Sequence, residues 1–368
     1  MLKDLIVNIG IPFAQAVAIL LVVLLIVAYL TLLERKIVAF MQVRLGPRRV
    51  GFHGLLQPIA DVVKLLIKED ITPKNADKFI FTLAPIIAVF PAIAAFAVIP
   101  FAGTTIEIFG IKIRPYLSDI NIGILYLLAI SSLGVFGIVL GGWSSNSKYP
   151  MLGGLRSAAQ MISYEVPLGF SIIGVLMIAG TASMTGIVEA QRNFGLWFAI
   201  PQLVGLFVYF VSGVAETNRN PFDLPEAENE LVAGFHTEYS GMRFAFFFLA
   251  EYINMIVVGC IVTTLFLGGW LPPTTAFERW IPFLAKVTPY LENFLPFFGP
   301  LGSLVTGVFW FSTKTFFIIF LYLWMRATFP RYRYDRLMAL GWKWLIPLSI
   351  ANVIVTGVVI VLIKSLKG

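Results

Sequence analysis

Glu165, Glu251 and Lys314 stand inside runs that are otherwise apolar. A charge near the centre of a bilayer costs at least about 2.5 to 3.5 kcal/mol, so such groups face a protein interior or a wet path. Desolvation favours the neutral form of a glutamate and a nearby cation favours the charged form, a combination suited to passing protons. A Glu and Lys pair that only locks two helices together is the simpler alternative. Pro167, two residues after Glu165, frees a backbone carbonyl in mid-helix, and Asn254 lies one turn from Glu251 on the same face. Ser312, Thr313 and Thr315 flank Lys314.

The connection ETNRNPFDLPEAENELVAGFHTEYSG, residues 216–241, is a second concentration of charge. It holds Glu216, Asp223, Glu226, Glu228, Glu230 and Glu238 against Arg219. Charge runs are usually solvated, but Pro221 and Pro225 stiffen this one, and Phe222, Leu224, Leu231, Val232 and Phe235 give it apolar groups to bury. A folded acidic funnel leading to Glu216 fits that composition. A divalent-metal site is only weakly indicated, because the carboxylates lack a calcium-loop spacing.

These groups need a frame. With 58% hydrophobic and 13% charged residues and a mean hydropathy of +0.88, the chain departs from soluble domains, which carry about 25% charge. An all-α, polytopic membrane protein is expected. Runs long enough to cross about 30 Å of hydrocarbon fall at 12–33, 79–101, 121–142, 155–180, 196–215, 244–267, 303–327 and 344–363, which gives about eight spans in a single membrane domain, 1–368. The first run is followed by Glu34-Arg35-Lys36 instead of a cleavage site, so it is read as a permanent span. Most of the 27 lysines and arginines fall in the inner connections if the N-terminus lies outside, which puts both termini outside. Between the first two spans, Leu55, Ile59, Val62, Val63, Leu66 and Ile67 make an apolar stripe opposite Gln57, Asp61, Lys64 and Lys68. An amphipathic helix over 55–69 follows, resting on the inner membrane surface or covering a cavity.

Other chemistry is poorly supported. Cys260 is the single cysteine, and His53 and His236 have no zinc-protease spacing, so no flavin, iron–sulfur cluster or metal is expected on this chain. Nucleotide-binding glycine motifs are missing, and the net charge of +7 is spread over short loops near the bilayer, which suits topology and lipid headgroups better than nucleic acid.

The segments LLERKIVAFMQVRLGPRRVG, GLLQPIADVVKLLIKED, GWSSNSKYPMLGGLRSAAQMISYE, NPFDLPEAENELVAGFHTEYSGM, FLAEYI and RATFPRYRYDRLMALGWK resemble the H-subunit family of bacterial respiratory complex I, whose mitochondrial counterpart is NADH dehydrogenase subunit 1. The likeness runs in order along nearly the whole chain and weakens over 103–119 and 271–300. It implies a multi-pass subunit of a proton-pumping NADH:quinone oxidoreductase in the bacterial inner membrane, at the junction of the electron-carrying and proton-pumping arms. The isolated chain would perform no redox chemistry. Quinone, ubiquinone or menaquinone, would be the substrate. The implied partners are the peripheral-arm iron–sulfur and quinone-site subunits, antiporter-like and small membrane-arm subunits, and lipid. The resemblance assigns Glu165, Glu216, Glu251 and Lys314 to the proton path and Asp223, Glu226, Glu228 and Glu230 to a coupling loop. It assigns Glu34, Arg35, Arg44, Asp61, Arg219 and Arg326 to the quinone chamber. The chain departs from the family at Arg48, where GPN is frequent, and at Ser132, where some members carry a glutamate. A stand-alone cation or proton antiporter, and the related subunit of an energy-converting hydrogenase, would share parts of this pattern.

Overall fold

The computed structural model describes residues 10–108, 111–223, 233–292 and 301–367. Its elements in chain order are α1 (Ile11–Met41), α2 (Gln57–Ile67), α3 (Lys78–Ala94), β1 (Ile106–Ile108), β2 (Ile111–Ile113), α4 (Gly123–Ser144), α5 (Lys148–Ala179), α6 (Met184–Phe194), α7 (Leu203–Glu216), α8 (Gly241–Phe266), α9 (Pro282–Glu292), α10 (Gly302–Thr328), α11 (Tyr334–Ala339) and α12 (Ile346–Lys367). Seven helical stretches among the described residues are long and apolar enough to cross a membrane. The chain is a helical, multi-pass membrane protein, with one short antiparallel hairpin, β1 on β2, added to it.

Two differences from the sequence reading have physical causes. The run at 196–215 yields only the 14-residue α7, about 21 Å at 1.5 Å per residue and shorter than the hydrocarbon layer. Pro201 has no amide proton to donate, and the chain before it turns, with Ala199 N–H bonded to the Phe266 carbonyl at 2.8 Å and Gln202 N–H to the Phe198 carbonyl at 3.0 Å. Conversely, α1 continues through Glu34, Arg35 and Lys36 to Met41, because ion pairs described below satisfy Glu34 and Arg35 and the Lys36 ammonium donates to the His53 carbonyl at 2.7 Å.

The core lies among α5, α7, α8 and α10, with Tyr164, Tyr209, Ile253, Val262 and Phe311 fully buried in it. Close approach depends on small residues. A Cβ on Gly137 of α4 would lie 2.6 Å from the Ala88 nitrogen of α3, and one on Gly153 of α5 would lie 2.7 Å from Gly234 Cα. The second contact clamps the far end of the acidic connection to α5.

The last long helix is not uniform. Between α11 and α12, residues Leu340–Leu345 form a π-helical turn. Its Gly341 faces the Tyr164 ring, and the Tyr164 hydroxyl donates to the Leu337 carbonyl at 2.8 Å. Farther along, Asn352 donates to Gln202 and Gln202 donates to Thr356, both at 2.7 Å. These are polar ties for a helix whose remaining surface, including Ile354, Val355, Val361 and Leu362, is exposed.

Candidate functional site: a charged cavity and a buried row of carboxylates

Glu34 is 3% exposed, deep on α1. A buried carboxylate requires counter-charge and donors, and two other helices and the segment after α7 supply them. Arg219, just past α7, approaches its two oxygens at 3.2 and 3.4 Å; Tyr252 of α8 donates at 2.6 Å; and Arg326 of α10 forms a direct ion pair. The Arg219 guanidinium also lies 3.7 Å from Glu251 and 4.2 Å from the centre of the Tyr252 ring. One cation therefore stands between two carboxylates from different helices.

Glu34 forms part of the wall of a cavity of about 730 Å³, shared with Arg35, Arg44, Tyr252, Phe248 and Arg326. That volume lies in the range of small-molecule sites. Gln57 lines it too, and bonds Asp61 at 3.0 Å while Arg35 pairs with Asp61 at 2.7 Å, tying α2 to α1. Glu34, Arg35, Arg44 and Arg326 thus meet at one cavity, Asp61 stands behind Arg35, and Arg219 stands behind Glu34. Arg48 and Arg49 line the same wall. Tyr252 is not marked out by its residue type, and its place beside Glu251 in FLAEYI is the signal the sequence offers.

On the other side of Arg219 the carboxylates continue. Glu251, Glu216, Asn218 and Asn254 border a small cavity of about 30 Å³. Glu216, Asn254, Thr217, Tyr209 and Ser131 border another of about 40 Å³. Each holds space for about one water, with polar partners in reach. Glu216 feels the charge of Glu165, and Glu165 is hydrogen-bonded to Ser132 of α4. The row runs Glu251, Glu216, Glu165, Ser132. Ser132 is the departure from the family pattern noted above, and here it sits directly against the buried glutamate.

Lys314 lies elsewhere. It is 6% exposed, and its ammonium donates to the carbonyls of Leu267, Gly269 and Leu271 at 2.7, 3.0 and 2.5 Å, with the Trp197 ring centre 4.5 Å away. It forms no ion pair with Glu165, Glu216 or Glu251 among the described residues.

Of the acidic connection, Asp223 is described and Glu226, Glu228 and Glu230 lie outside the described residues. Asp223 pairs with Arg331 at 3.1 Å. Burial pushes its carboxyl up to about 6, Arg331 opposes the rise, and Glu251 adds to it. Gln160 holds the start of the connection through the Ala215 and Phe222 carbonyls at 2.8 and 2.9 Å. At its end, burial lowers His236 to about 4, so the imidazole is neutral at neutral pH among Phe235, Phe244 and Phe248. Among the described residues, no group of three or more His, Cys, Asp or Glu is placed to hold a metal.

Comparison with known proteins identifies a family. Residues 14–357 match the family described as NADH dehydrogenase. The chain is 51% identical to the second of the NADH-quinone oxidoreductase H subunits of Geobacter metallireducens, over 95% of this chain and 98% of that protein. It is 51% identical to the first of the H subunits of Geobacter sulfurreducens, covering 94% of each. It is 49% identical to the NADH-quinone oxidoreductase H subunit of Magnetococcus marinus, over 91% of this chain and 87% of that one.

Proposed function

The chain belongs to the NADH dehydrogenase family of complex I H subunits, and from that membership we propose that it forms the quinone chamber of a proton-pumping NADH:quinone oxidoreductase and the first part of its proton path. The cavity bounded by Glu34, Arg35, Arg44 and Arg326 takes the quinone head, ubiquinone or menaquinone. Electrons come from iron–sulfur clusters on peripheral-arm subunits, and antiporter-like membrane subunits continue the proton route. The complex lies in a bacterial inner membrane, and this chain handles charge and protons without transferring electrons itself.

The observation that carries the reading is the shared cation. Arg219 contacts Glu34, which borders the large cavity, and also Glu251, which borders the first of the water-sized cavities beyond. Reducing quinone to quinol takes up two electrons and two protons, which changes the field at Glu34. Arg219 then redistributes between its two carboxylates, and Glu251 meets a different positive charge. Protons move on through Glu216 and Glu165. Asp223, with Glu226, Glu228 and Glu230, reports the state of the chamber to that row. Lys314, held by three backbone carbonyls, ties α10 to the chain that follows α8 and takes no part in the relay.

The test is Glu251→Gln and Glu216→Gln in the assembled complex, with quinone reduction and proton translocation measured together. Loss of translocation per quinone reduced is expected. Unchanged values of both quantities in both variants would overturn the assignment.

A further inference from the structure

We infer that Ser132 is a positioning residue for proton exchange at Glu165, its hydroxyl turning between two acceptors as that carboxyl gains and loses its proton. The inference rests on the reading that Glu165 carries protons. Ser132 has two partners: its Oγ lies 2.8 Å from the Leu128 carbonyl and is bonded to Glu165 Oε1. A serine hydroxyl owns one proton and a backbone carbonyl can only accept, so both bonds cannot be donated together. When Glu165 is ionised, both its oxygens accept, and Ser132 donates to it while releasing Leu128. When Glu165 is protonated, its own O–H donates to Ser132 Oγ, and the serine proton returns to the Leu128 carbonyl. The serine proton thus has an acceptor in both charge states, the Leu128 carbonyl keeps a second donor in Ser131 when Ser132 leaves it, and the only atom gained or lost is the proton on Glu165.

Serines inside helices commonly bond back to a carbonyl three or four residues earlier with no functional meaning. The neighbouring Ser131 does just this, donating to the same Leu128 carbonyl at 3.0 Å. It has no carboxylate partner among the described residues, and instead borders the 40 Å³ cavity it shares with Glu216. Two adjacent hydroxyls share an anchor, and one of them is carried onto a half-buried carboxyl by the α4 and α5 packing. Among the described residues the Glu165 side chain makes no other hydrogen bond, which leaves Ser132 as its protein donor.

The experiment compares Ser132→Thr with Ser132→Val, nearly identical in shape and different in the hydroxyl, in the assembled complex in native membranes. Ser132→Ala gives the same reading with added space. Losing one hydrogen bond to a charged group corresponds to about a tenfold change in equilibrium, so coupled proton translocation is expected to fall about tenfold in Val and Ala while Thr stays near the parent. Infrared difference spectra on quinone reduction, with Glu165→Gln identifying the carboxyl band, should show that band displaced in Val and Ala and unmoved in Thr. Thr and Val behaving alike in both readouts would overturn the inference. Glu165→Gln with unchanged translocation would instead overturn the reading on which it rests.

Discussion

Arg219 and Lys314 are both buried cations, 8% and 6% exposed, and the protein treats them in opposite ways. Lys314 has its three donors directed at three backbone carbonyls with an aromatic ring above. Those partners are neutral and fixed, so the charge has one arrangement. Arg219 faces two carboxylates, Glu34 and Glu251, and lies over the ring of Tyr252, whose hydroxyl donates to Glu34. A cation satisfied by the backbone stabilises the fold, while a cation divided between carboxylates links their states. Burial alone would not separate the two roles.

The sharpest way to break this contrast is Arg219→Leu. Removing one member of a buried ion pair leaves uncompensated charge worth about 3 to 5 kcal/mol, so quinone reduction by membranes should fall by at least about a hundredfold. Arg219→Lys should recover little, because an ammonium cannot bridge two carboxylates as a planar guanidinium does. Lys314→Met should act on stability, since it deprives three buried carbonyls of a donor at about 1 to 3 kcal/mol each. Thermal unfolding of the complex should occur several degrees lower with the proton yield per quinone unchanged. A reduced yield at intact stability would instead move Lys314 into the relay. Tyr252→Phe removes one bond to Glu34, and roughly tenfold slower quinone reduction is expected.

A smaller effect is expected at Asp223. Its carboxyl, raised above the unfolded value to about 6, favours the protonated form in the folded protein. Its contribution to stability is therefore complete below about pH 4 and lost as pH rises through 6. Arg331 holds the carboxyl down, so Arg331→Gln should move the inflection of coupled activity from near 6 to higher pH, measured over pH 5 to 8. The smallest effect belongs to Arg333, whose 3.0 Å pair with Asp335 is open to solvent. Arg333→Ala should leave rate, yield and stability unchanged within error.

Much of this was legible from residue type. Charges inside apolar runs stand out because they are costly there, so Glu165, Glu251 and Lys314 could be chosen without a structure. Their partners could not. Arg219 and Glu34 are 185 positions apart, and Lys314 is held by carbonyls that any sequence provides. Depth in the membrane, which a sequence conveys, groups Lys314 with the glutamates, whereas its partners around the bundle, the carbonyls of Leu267, Gly269 and Leu271, depend on packing. The short α7 escaped for the opposite reason. Leu196 to Ala215 is apolar apart from Gln202 and Ser212, and Pro201 is the signal that the chain folds a turn there before the helix starts.

The wide turn at Leu340–Leu345 has a consequence for how this lineage can change in length. An α-helix turns its face by about 100° per residue, so a deletion elsewhere between Leu337 and Asn352 would carry Asn352 away from Gln202. The π turn already contains one residue beyond an α-helical turn, and losing it there would keep the downstream face in register. Natural deletions in this helix should therefore collect at 340–345.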